Sequence, residues 1–141
     1  MERGVHGTNW LRIILSGVVA GIVWFLLCAA ILFLFAQDFL ASLQGTAPHP
    51  PMGGAFFFAL DLMMGIWAMW LYSAIAPRYG AGAKTAAIAG VAWWTIKSLQ
   101  SAKWAGLGFV PREVVLVPLA TTLIAAVTAS LVGAWVYRKV V

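Results

Sequence analysis

Four apolar runs, each of roughly 20 residues or more, leave this chain few folds to choose from. A run of that length crosses a hydrocarbon core about 30 Å thick at about 1.5 Å per helical residue. Inside that core every backbone N–H and C=O must be bonded within the protein, so such runs fold as helices. They fall at about 11–36, 55–76, 84–104 and 112–137, with no stretch left over for a soluble domain. The expected fold is therefore all-α: one integral membrane domain over 1–141, a four-transmembrane-helix bundle. Composition agrees, since only 9% of residues are charged and mean hydropathy is +0.94, against about 25% charged in soluble domains.

Orientation is read from the flanks. Arg3, Arg12, Arg78, Lys84, Arg138 and Lys139 lie at one end of the runs, and only Lys103 and Arg112 at the other. The positive-inside bias places both termini in the cytoplasm. The net charge of +5 reflects four acids rather than a clustered basic patch, so nucleic acid is not an expected partner. The 13–36 run, about 24 residues, exceeds a signal h-region of roughly 7–15, and Leu27 before Cys28 spoils a lipoprotein box. The first run is expected to stay attached. Residues 37–54, with the Pro-His-Pro-Pro tract ending at Pro51, read as an ordered extracytoplasmic turn.

The third run opens as a plain span and then turns polar: Thr95, Lys97, Ser98, Gln100, Ser101 and Lys103. A lysine at membrane depth costs a few kcal/mol on insertion scales, so Lys97, Gln100 and Ser101 are expected to be covered by protein. Asp61 and Lys97 are the charges well inside spans. They lie roughly 9 and 11 Å below the outer surface by helical rise, and an intramembrane ion pair between them is expected. That pair reads either as a fixed structural contact or as a relay for protons or cations.

Rows of small residues recur at every fourth position: Gly17/Gly21, Gly82/Ala86/Gly90 and Thr121/Ala125/Ala129/Gly133. They predict close helix packing. Pro118 is expected to kink the fourth span. A parallel helix-hairpin pseudo-repeat is also legible, with Ala20-Gly-Ile-Val-Trp24 echoing Ala89-Gly-Val-Ala-Trp93 and Trp70-Leu-Tyr72 echoing Trp135-Val-Tyr137. Trp10, Trp104 and Trp135 fit interfacial belts. Trp24, Trp67, Trp93 and Trp94 fall near mid-membrane and read as gap-filling side chains or as a wall for a hydrophobic ligand, a quinone, carotenoid or lipid tail.

The turn before the third span, Arg78-Tyr-Gly-Ala-Gly-Ala-Lys84-Thr85, lacks the glycine spacing and preceding strand of a nucleotide-binding loop. Arg78, Lys84 and Thr85 at a helix start remain candidates for a lipid-phosphate contact. His6 and His49 lie outside the runs and Cys28 is the one cysteine. No metal site, haem ligand pair or catalytic set is legible, and neither a cofactor nor an enzymatic activity is expected.

The stretch from Tyr72 through Pro77-Arg-Tyr-Gly-Ala-Gly-Ala-Lys-Thr-Ala86 to Trp93 resembles a group of small uncharacterised bacterial four-span proteins. These share a P-R-[FY]-G-x-G-x-K-T-A loop between spans two and three. The resemblance implies a bacterial inner-membrane origin and the same layout, and implies no activity. The leading functional reading is a non-catalytic accessory subunit within a larger respiratory, photosynthetic or transport assembly, in contact with membrane lipids and other membrane subunits. The alternatives are a self-associating small transporter or channel using Asp61 and Lys97, and a lipid- or quinone-binding module.

Overall fold

The computed structural model describes residues 9–35, 53–108 and 112–140, with the side chains of Phe35, Trp104 and 112–118 outside that description. The turn expected over 37–54 lies outside it except for Gly53 and Gly54. Four helices account for nearly all of the described chain: α1 Trp10–Phe35, α2 Gly54–Tyr79, α3 Ala83–Gly106 and α4 Arg112–Lys139. Trp10–Leu34, Gly54–Tyr79 and Leu119–Lys139 are long and apolar enough to cross a membrane. The protein is thus a helical-bundle membrane protein. α3 is not among those three, because Lys97, Gln100 and Lys103 dilute its second half.

Most helix ends run slightly past the expected bounds. α2 continues through Pro77 to Tyr79, where the sequence predicts a stop at Ala76. A proline in the last turn gives up only its own N–H, and the helix closes instead through the Gly80 N–H on the Ala76 carbonyl. Gly80 ends it at φ +86°, a left-handed value that suits glycine. α4 is one helix through Pro118.

Sequence neighbours pair in antiparallel fashion. Along α1–α2, Gly17 lies against Ile66, and Gly21 against Leu62 and Asp61. Along α3–α4, Gly90 lies against Ala126 and Val127. α4 also packs extensively along α1, whereas α2 meets α3 more sparsely. α1 and α3 are the far diagonal, spanned by the side chains of Trp24 and Trp93.

The helices are apolar on nearly every side, so hydrophobicity does not mark the inward face. Small residues do. α1 buries Ile13, Ser16, Gly17, Ala20, Gly21 and Trp24; α3 buries Thr85, Ala86, Ala89, Gly90 and Trp93; α4 buries Ala125, Ala126, Ala129, Ser130, Gly133 and Ala134. Large side chains such as Leu26, Phe33, Met63, Ile96 and Ile124 stand outside, between 58 and 69% exposed, as suits a surface solvated by acyl chains. With lipid as apolar as leucine, close backbone contact is what drives such helices together. Three of the expected small-residue rows are used, except that Gly82 has nothing near it and Thr121 is only partly buried.

Gly65 is the tightest point. A side chain there would run into the Gly17 carbonyl and lie 2.7 Å from the Gly21 Cα. Gly65→Leu should therefore force α1 and α2 apart and lower stability by at least the roughly 1–3 kcal/mol typical of overpacking. Gly54→Leu, with no atom near the new side chain, should leave it unchanged; thermal unfolding in detergent compares the two.

Candidate functional site

Asp61 and Lys97, the charges the sequence expects inside spans, converge on one aromatic ring. α1 brings Trp24 to the bundle interior, because Gly17 and Gly21 on the same face draw α1 onto α2. α2 contributes Asp61 beside Gly21, and the Trp24 Nε1–H donates to Asp61 Oδ1 at 3.1 Å. α3 contributes Lys97, whose Nζ lies 4.2 Å from the centre of the Trp24 ring. Trp93, one helical turn before Lys97 on the same face, packs on Trp24 with ring centres 4.6 Å apart and planes tilted by 39°. Trp24 itself is fully buried.

This arrangement differs from the direct ion pair that the matching depths predict. Among the described residues, Asp61 and Lys97 form no salt bridge; the indole stands between them. Indole is suited to that place, with an N–H at its edge for the carboxylate and a negative face for the ammonium. A cation over an indole contributes about 0.5–2 kcal/mol, more as water is excluded. Hydrogen bonds between membrane helices average about 0.6 kcal/mol and reach about 1.7. The contact holds three helices at one height. Among the described residues, no further carboxylate, imidazole or ammonium group lies between it and the Arg12–Lys84 end of the bundle.

The rest of the polar half of α3 turns inward on itself or stays exposed. Thr95 donates to the Val91 carbonyl at 2.8 Å and Ser101 to that of Lys97 at 3.1 Å, the usual return of a hydroxyl to its own helix. Gln100 and Lys103 are exposed. Shielding by the chain itself is thus found for Lys97 and, in part, for Ser101, and not for Gln100.

The four mid-membrane tryptophans do not form one wall. Trp24 is interior. Trp94 faces α4, donating to the Leu119 carbonyl at 2.8 Å. Trp67 and Trp93 do share a surface, an apolar groove of about 360 Å³ between α2 and α3, lined also by Met64, Ala68, Trp70, Leu71 and Ile96. Sequence reasoning placed Trp67 and Trp93 at one depth but missed Met64 and Trp70, because depth along a helix does not give the direction a residue faces.

At the opposite end, Arg78 lies over the Tyr79 ring at 5.9 Å, and Lys84 is exposed. Thr85 is fully buried and its hydroxyl donates to the Gly80 carbonyl. It is therefore a brace for the tight turn and is not open to a lipid phosphate, which leaves Arg78 and Lys84 of the expected trio. No group of metal-ligating residues occurs among the described residues.

Comparison with known proteins found no matching family model, no matching curated protein and no matching solved structure.

The Trp24 contact makes a specific energetic prediction. Trp24→Phe keeps an aromatic face for Lys97 and Trp93 but removes the N–H, and should cost about 0.5–2 kcal/mol. The same change in an Asp61→Leu background should cost less, because the partner is already gone. Asp61→Asn, which keeps an acceptor oxygen, should be milder than Asp61→Leu. A double-mutant cycle of unfolding in detergent measures these differences.

Proposed function

We propose that this chain is a non-catalytic four-span subunit of a bacterial inner-membrane assembly, with both termini cytoplasmic and α3 as the fourth crossing. The observation that carries the reading is the outer half of α3. Gln100 is exposed there between Ile96 and Leu99, which are 69 and 67% exposed. Its amide has no partner among the described residues, and an unsatisfied amide is costly against hydrocarbon. A neighbouring protein surface with its own polar groups would remove that cost. α3 runs antiparallel to α4 along a long seam, which supports a fourth crossing despite its polar content.

The interior supports the same reading. Asp61 and Lys97 are joined through Trp24, and a transport path needs its charges continued by others. The buried faces of α1 and α3 also match in kind. Gly21 meets Leu62 and Asp61 as Gly90 meets Val127 and Ala126. Trp24 packs on Trp93, and Tyr72 meets Tyr137 edge-on at 5.6 Å. These pairs follow the register of the Ala-Gly-x-x-Trp and Trp-x-Tyr likenesses and support two parallel hairpins, α1–α2 and α3–α4, related by a pseudo-twofold axis along the bundle.

A photo-crosslinking residue placed at position 100 in the native membrane tests the subunit reading. It should give a discrete product with one partner polypeptide, and the same probe at Ile124, on α4, should give none. Native mass spectrometry of the mildly solubilised protein should then show a heteromer of fixed stoichiometry. Lipid adducts alone at position 100, with a monomer or homo-oligomer in the spectrometer, would contradict it.

A further inference from the structure

We propose that the bundle is a split ring: the α2–α3 seam opens at the end away from the Gly80–Gly82 turn, and Lys97 on the Trp24 face is the latch that holds it shut. The device needs no partner subunit, so it stands apart from the docking role of Gln100.

Three of the four seams are fastened by close approach at a glycine. Gly17 and Gly21 of α1 lie against α2, Gly90 of α3 against α4, and Gly133 of α4 against Ala20 of α1. Two of them also carry a side-chain hydrogen bond. Trp24 donates to Asp61 across α1–α2, and Trp94 to the Leu119 carbonyl across α3–α4. The chain of firm contacts thus runs α2–α1–α4–α3 and stops. Between α2 and α3 the packing is sparse. Among the described residues, no side-chain hydrogen bond, ion pair or ring contact crosses that seam directly. Gly65 of α2 faces α1 and Gly90 of α3 faces α4. What meets across the seam is bulk: Met64, Trp67, Ala68 and Leu71 stand opposite Trp93 and Ile96, with a groove of about 360 Å³ between them.

The two ends of the open seam differ. At one end α2 passes into α3 through the Gly80–Gly82 turn. The Gly80 N–H donates to the Ala76 carbonyl there, and the Thr85 hydroxyl donates to the Gly80 carbonyl, which keeps the helices together. Toward the other end, α3 is held to the α1–α2 pair through Trp24, whose ring carries Lys97 and packs on Trp93. Trp24 is fixed to α2 by its N–H on Asp61, so it moves with α1 and α2, whereas Lys97 moves with α3. A fixed turn, a loosely packed seam and one polar contact beyond it are the parts of a hinged two-state element. The contact is also one that can be unmade. An indole face has no donor to leave unsatisfied, and the flexible lysine stem can carry the ammonium toward the nearer membrane surface. Parting the helices starts from a gap already present, so little packed surface is lost.

Pulsed electron–electron distance measurement on the full chain in nanodiscs, in a Cys28→Ala background, tests the device. One pair of spin labels goes on Met63→Cys and Leu99→Cys, positions 58 and 67% exposed that lie at one height when counted out from the turn. A second pair goes on Ala74→Cys and Ile88→Cys, exposed positions near the turn. The far pair should show two distances and the near pair one. Lys97→Met should raise the ratio of long to short far-pair distances by about 2- to 30-fold, the range that loss of a cation–π contact implies, and leave the near pair unchanged. Lys97→Arg, which keeps a cation for the ring, should stay close to the parent. One narrow far-pair distance in the parent chain would overturn the device whatever the variants do. Two distances whose ratio Lys97→Met leaves unchanged would overturn the latch.

Discussion

The indole of Trp24 is the contact on which the interior of this bundle depends. Its edge holds Asp61 of α2, its face holds Lys97 of α3, and its ring packs on Trp93. Two opposite charges buried apart in hydrocarbon would each carry a large solvation cost. An aromatic spacer with a donor at one edge and an electron-rich face satisfies both charges at the separation the helices have. It also fixes the rotation of three helices about their own axes, which apolar packing alone specifies weakly.

That contact rests in turn on backbone proximity. Trp24 reaches Asp61 because Gly17, Gly21 and Gly65 let the backbones of α1 and α2 meet beside it. Alanine and glycine do the same between α3 and α4. The protein inverts the pattern of a soluble bundle: small residues mark the inside and large apolar ones the outside. Asp61, Lys97 and the bulky residues of the α2–α3 groove are where the molecule departs from that pattern.

Much of this is legible in the sequence because the membrane imposes one dimension. Run lengths give the helices, small-residue rows give the seams, and counting along helices puts Asp61 and Lys97 at a common height. The sequence says less about direction around each helix. Trp24 reads as a gap filler before a ligand wall, and nothing in its neighbours shows that its N–H meets a carboxylate. Gly65 is overlooked because it stands alone on α2, outside any four-residue row, although it is the closest contact. Thr85 reads as a surface group near two basic residues, and only the tightness of the Gly80–Gly82 turn draws its hydroxyl inward. Gln100 is expected to be covered and is exposed on the chain alone, which is what turns attention to a neighbour.

The ring current of Trp24 offers the most direct measurement of the central contact. In protein labelled at lysine and held in nanodiscs, the side-chain methylene protons of Lys97 nearest the ammonium should resonate well upfield of those of Lys84, which is exposed. The shift should vanish in Trp24→Leu while the fold persists. Lys97 resonances at ordinary exposed-lysine positions, unmoved by loss of the indole, would contradict the account.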